Sequence, residues 1–151
     1  MGACKEKMKY RKGIFIVTYS RTKKEIKYLV LKLKLHWKGW EFPKGGLEKS
    51  KDPLKNVKRE IKEETGKLPF NTKNLHVSGK YKYKKELKDR KDIEGQTYVL
   101  YSVEIKPGLI KIDKKEHSSY QWLNFEKALK KLTWPNQRKC LRITNTFLNK
   151  N

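Results

Sequence analysis

The sequence predicts a single domain of the α/β class. Three observations carry that prediction: β-branched or alternating segments in both halves of the chain, a well-delimited amphipathic helix between them, and a second amphipathic helix at the end. With 151 residues, the chain can bury about two-thirds of its unfolded surface in one core. We therefore expect one domain over 1–151, with 1–11 a loose N-terminal segment.

Residues 13–19, Gly-Ile-Phe-Ile-Val-Thr-Tyr, are β-branched and aromatic and suit a buried strand. A polar turn at Ser20 to Lys24 follows. From Ile26 to Trp37 the chain alternates, with Leu29, Leu31, Leu33 and Leu35 on one side and Lys32 and Lys34 on the other, the pattern of a half-buried strand. The two read as a hairpin. Trp40 to Gly46 contains Pro43 and the pair Gly45-Gly46, which predicts a tight loop whose backbone can pass close to a ligand.

A helix begins at Asp52: Asp52 can cap it, Pro53 suits its first turn, Leu54, Val57 and Ile61 form an apolar stripe, and Gly66 can end it. Leu75–Leu87 and Gln96–Ile105 are strands joined by a charged, mobile loop, Lys88–Gly95. After Pro107-Gly108 come a polar stretch to His117, a short apolar segment Tyr120–Leu123 and a helix over Phe125–Leu132. The last helix starts near Pro135 and turns Cys140, Leu141, Thr144, Phe147 and Leu148 to the core.

Composition narrows the function classes. Thirty-nine Lys and Arg against 16 Asp and Glu give a formal charge of +23, which attracts polyanions such as nucleotides and RNA. Because the lysines are spread along the chain, a biased genome or a hot habitat explains the same composition equally well. Cys4 and Cys140 are the only cysteines, so a disulfide framework or cysteine-rich metal site is excluded and a reducing cytoplasm is the expected compartment. No apolar run approaches the roughly 18 residues of a membrane span, and no membrane partner is expected. The segment Met1 to Lys12 has no apolar stretch behind it, and Glu6 stands where a myristoylation signal wants Ser or Thr.

On the helix from Asp52, Glu60, Glu63 and Glu64 stand at i, i+3 and i+4, on neighbouring positions of one face. Clustered like charges are costly unless a cation joins them, and hard oxygen donors suit Mg²⁺ or Mn²⁺. Taken alone, the triple reads as well as a solvated acidic face. The longer pattern is Gly45, five residues, Lys51, seven residues, then Arg59-Glu60-Ile61-Lys62-Glu63-Glu64-Thr65-Gly66-Lys67. It resembles the Nudix signature, with Lys51 in place of the first Glu and Lys67 in place of the last hydrophobic residue. Leu68 can fill the second position after a small shift; Glu48 and Asp52 are the nearby carboxylates available to compensate for the first.

The resemblance implies an α/β/α sandwich with a mixed, curved sheet and a magnesium-dependent hydrolase. It assigns the metal to Glu60, Glu63 and Glu64 and makes Glu64 the group that orients or deprotonates the attacking water. Arg59 would orient a helix carboxylate. Gly45 and Gly46 would let the loop backbone approach metal and phosphates, and Lys44 would reach a phosphate oxygen.

The flanks refine the resemblance. Trp40-Glu41-Phe42-Pro43-Lys44-Gly45 and Glu116-His117-Ser118-Ser119-Tyr120-Gln121-Trp122 are similar to segments of the diadenosine tetraphosphate hydrolases. By that likeness Glu116 is a further acidic residue at the metal site and Tyr120 helps to hold a base. Tyr120 and Trp122 also read as core aromatics. Tyr81 and Tyr83, alternating with Lys80, Lys82 and Lys84, offer either an aromatic platform for a base or ordinary strand filler. His36, His76 and His117 lack metal-ligand spacing. The expected activity is cleavage of a pyrophosphate link in a dinucleoside polyphosphate; the rivals are the same chemistry on an RNA 5′ end, including decapping, and a module that binds nucleotide or RNA without turnover.

Overall fold

A computed structural model describes residues 9–34, 38–47, 52–83 and 92–150. Ten elements follow one another: β1 (Lys9–Arg21), β2 (Ile26–Leu33), β3 (Gly39–Glu41), β4 (Lys44–Gly46), α1 (Pro53–Thr65), β5 (Asn71–Lys82), β6 (Ile93–Glu104), β7 (His117–Leu123), α2 (Phe125–Lys131) and α3 (Pro135–Leu148). The strands form one mixed sheet ordered β3-β2-β1-β6-β5, with β4 added to β1 and β7 to β2. β1 and β6 run parallel, while the other pairs are antiparallel.

The alternation of β1 fixes the layering. Phe15, Val17 and Tyr19 point to one face, where they pack with Leu132 and Ala128 of the α2 region and Cys140 and Leu141 of α3. Ile14 and Ile16 point to the other, against Val57 and Ile61 of α1. With helices on both faces, apolar residues are wanted at every position, hence the unbroken run in β1. For the same reason the first half of β2 is buried on both sides, Tyr28 and Val30 as fully as Leu29 and Leu31; the expected alternation holds from Leu31 on, where Lys32 and Lys34 are exposed and Leu33 is buried. No helix of the described residues is long and apolar enough to cross a membrane.

Several boundaries differ from expectation. β1 starts at Lys9, inside the segment read as loose, because residues from Lys9 onward pair with β6. The glycine loop at Trp40–Gly46 is two short strands: Glu41 pairs with Leu31, and Lys44, Gly45 and Gly46 pair with Phe15, Ile14 and Gly13. The apolar segment at Tyr120 is part of β7, antiparallel to β2. Leu54 and Phe147, placed in apolar stripes, are each 44% exposed at helix edges. Leu35, His36, Glu48, Lys51, Lys84 and residues 88–91 of the loop read as mobile lie outside the described residues, while the last residues of that loop, from Ile93, are the start of β6.

Candidate functional site

The acidic helix is held by its ends and its apolar row. The Asp52 carboxylate accepts from Leu54 N at 3.1 Å. Gly66 ends the helix at φ 74°, in the left-handed region that suits glycine. Val57 and Ile61 are fully buried against the sheet, which turns the neighbouring row, Asn56, Glu60 and Glu64, inward as well. Glu64 is 3% exposed and the Glu60 side chain 14%. Glu63, one step round the helix, is 55% exposed and paired with Arg59 at 3.4 Å. Arg59 also reaches Glu60 at 3.5 Å and Asn56 at 3.3 Å. The carboxylate triple is therefore split: Glu60 and Glu64 turn inward, and Glu63 stays outside.

Gly45 meets this row from the sheet. A Cβ there would lie 2.6 Å from Glu60 Cγ and 2.7 Å from its Oε1, so only glycine lets β4 and the carboxylate stand this close. From the other side come Glu116, in the turn before β7, and His117, its first residue. Glu64, Glu116 and His117 each offer a ligand atom, all within 4.8 Å of one another. His117 Nε2 bonds Glu41 Oε2 at 2.8 Å, and Lys44 Nζ sits 3.1 Å from Glu41 Oε1.

The carboxylates here are buried close together. Burial pushes the Glu64 carboxyl well above the usual carboxylate range, and Glu41, Glu116 and Glu60 push it further against a partial offset from Lys44. Burial likewise raises Glu60 to about 7; Arg59 and Arg11 oppose this, and Glu63 and Glu116 add to it. Glu41 also pays a burial penalty, but Lys44 and His117 outweigh it and hold its carboxyl below the ordinary value. Glu64 Oε2 and His117 Nδ1 are buried and have no hydrogen-bond partner among the described residues. Carboxylates forced together with buried, unused lone pairs fit a divalent ion.

A cavity of about 440 Å³ lies on the α3 side of the sheet, lined by Lys38, Lys44, Lys82, Tyr81, Tyr83 and Trp134 among others. Its described lining includes lysines and aromatic rings but no carboxylate. Lys44 joins the two regions, since its ammonium group meets Glu41 while its side chain borders the cavity. Tyr81 is half-buried there, 6.0 Å from the Tyr83 ring. Tyr83 is 8% exposed and packed inward, its hydroxyl donating to Gln96 Oε1 at 3.3 Å. Tyr120 does not join them. It faces the opposite side of the sheet, half-buried against the core under α1, because it pairs with Leu31.

Sequence reasoning missed Glu41, His117 and Trp134. Glu41 carried one signal, a lone carboxylate between Trp40 and Phe42 in an otherwise apolar segment. His117 showed no ligand spacing because its neighbours in space come from distant strands.

A NUDIX domain model matches residues 9–142. The chain is 29% identical over 120 residues to an RNA pyrophosphohydrolase of a Nitratiruptor species, covering 74% of each chain. Among solved structures, a binary complex of the C. elegans Ap4A hydrolase superimposes with a TM-score of 0.74 at 21% identity, covering 91% of this chain and 97% of that one. The NUDIX domain of Shewanella oneidensis NrtR, complexed with ADP ribose, gives 0.73 at 14% identity, covering 93% and 89%.

Proposed function

The chain belonging to the NUDIX domain family and thus being a pyrophosphohydrolase, we propose that it hydrolyses a pyrophosphate link in dinucleoside polyphosphates such as diadenosine tetraphosphate, with Mg²⁺ or Mn²⁺ as cofactor. The observation that carries the metal dependence is the buried, unpartnered Glu64 Oε2 facing Glu116. Glu60, Glu64 and Glu116 hold the ion, which, when bound, neutralises phosphate charge and makes water a better nucleophile. Glu64 orients the attacking water and takes its proton. Arg59 fixes the direction of the Glu60 carboxylate and keeps Glu63 at the rim.

The substrate class follows from the cavity. Tyr81 and Trp134 supply flat apolar surface for a base, and Lys38, Lys44 and Lys82 supply cations for a phosphate chain. Tyr83 backs Tyr81 from within the fold. The likeness to the C. elegans Ap4A hydrolase supports this reading at the level of fold.

A second reading, removal of pyrophosphate from an RNA 5′ end, is favoured by the Nitratiruptor relative and by the +23 charge, which suits a long polyanion. A panel of diadenosine tetraphosphate, nucleoside triphosphates and 5′-triphosphorylated RNA, with product analysis and Mg²⁺ present, separates the two. Faster turnover of the dinucleotide supports the first. Turnover of RNA alone replaces it with the second, and no turnover of any anhydride refutes both.

A further inference from the structure

Glu41 and His117 lie outside the acidic helix, and each is 1% exposed. They come from β3 and β7, which both pair with β2, opposite Leu31 and Leu33. Their side chains meet across that strand at 2.8 Å. Burying a carboxylate and an imidazole together costs several kcal/mol unless their polar atoms are used.

One nitrogen of the ring is accounted for. Lys44 Nζ stands 3.1 Å from Glu41 Oε1, and the oxygens of a carboxylate paired with an ammonium group only accept hydrogen bonds. The 2.8 Å contact with Glu41 Oε2 therefore has Nε2 as its donor. Nδ1, the nitrogen that keeps a lone pair in that tautomer, is buried and without a hydrogen-bond partner among the described residues. A His117 ring nitrogen and carboxylate oxygens of Glu64 and Glu116 all lie within 4.8 Å of one another, and Glu64 Oε2 is likewise unpartnered.

We propose that His117 Nδ1 is a nitrogen ligand of the divalent ion held by Glu64 and Glu116, with Glu41 fixing the tautomer that makes it one. A carboxylate holding the far nitrogen of a metal-bound histidine is a recurrent arrangement, because it fixes ring orientation and raises ligand basicity. Imidazole suits zinc, iron, copper and nickel better than magnesium, whose preferred donors are oxygens. The site is then tuned toward later first-row divalent ions relative to an all-oxygen pocket, and Mn²⁺ serves as its paramagnetic probe. This inference rests on the metal reading above.

The test loads the full chain with Mn²⁺ and measures pulsed electron paramagnetic resonance for coupling to a histidine nitrogen, in protein with natural-abundance and ¹⁵N-labelled histidine. The expected result is a ligand-strength nitrogen signal that changes with the label and disappears in His117→Gln, together with Mn²⁺ affinity about 10-fold weaker or more. The chain has 3 histidines, so the double variant His36→Gln, His76→Gln leaves His117 alone and must keep the signal even if His117→Gln fails to fold. Mn²⁺ bound without histidine coupling overturns this inference and leaves the carboxylate site standing. Absence of Mn²⁺ binding by the parent overturns both.

Discussion

Replacing Gly45 by alanine probes the join between sheet and acidic helix with a single methyl group. The added Cβ would stand 2.6 Å from Glu60 Cγ and 2.7 Å from Oε1, whereas ordinary contact begins at 3.4 Å. The Glu60 side chain must therefore withdraw by roughly 1 Å, and a misplacement of that size in a catalytic constellation costs about 100-fold in rate. Overpacking of a tight contact costs about 1–3 kcal/mol, or roughly 2–4 °C in Tm per kcal/mol for a chain of this length. We expect Gly45→Ala to lower kcat about 100-fold and to raise the Mg²⁺ concentration for half-maximal rate, with Tm falling only a few degrees. Adding Glu60→Asp, which withdraws the carboxylate by one methylene, should recover the Tm loss without recovering the rate. Initial rates across a Mg²⁺ titration, with calorimetry on the same samples, decide it. Parental kinetics in Gly45→Ala would show that the Glu60 position is irrelevant to catalysis and refute the reasoning.

Four further outcomes are expected. Because folding raises the Glu60 pKa from 4.5 to about 7, Glu60 should contribute stability to the metal-free protein that is fully present below about pH 4.5 and lost as pH rises through about 7. The Tm gain from saturating Mg²⁺ should then be larger near pH 8 than near pH 5.5, and an equal gain at both would contradict it. Glu64→Gln should abolish turnover while leaving the metal-free fold at least as stable, since it removes a buried charge set among Glu41, Glu116 and Glu60; retained activity would take Glu64 out of the mechanism. Lys51→Glu, restoring the family's carboxylate, should raise activity at limiting Mg²⁺, and a fall would make Lys51 a working residue. Tyr81→Ala should raise KM for a dinucleotide, whereas Tyr120→Ala should lower Tm by several degrees with KM unchanged; the reverse pattern would move the base site to the α1 side of the sheet.

Helix α1 was legible because independent signals agree on it: the Asp52 cap, Pro53, the Val57 and Ile61 row and Gly66 all mark the same element. Its carboxylates were legible as a cluster, but not in their division, because i+3 and i+4 positions look equivalent until the burial of Val57 and Ile61 sets the helix rotation. β3 and β4 escaped notice since strands of 3 residues carry no period, and glycine and proline there read as a loop. The Glu41–His117 contact joins positions 76 residues apart, and no local pattern can announce such a pair. Tyr120 and Tyr81 looked alike as tyrosines on strands; pairing with Leu31 on one and packing against Phe15 on the other sends them to opposite sides of the sheet.

The parallel pairing of β1 with β6 has a cost that falls on the nascent chain. β1 is the first strand made, yet its parallel partner runs from Ile93 to Glu104, so the long intervening segment must be synthesised before that edge can close. Such non-local pairing delays folding, and until then Ile14, Phe15, Ile16 and Val17 have no neighbour on that side, an apolar strand open to wrong partners. Glu116 and His117 emerge later still. A chain stalled before them lacks both residues that meet Glu64 in the folded protein, so the Glu64–Glu116–His117 cluster can assemble only late in translation.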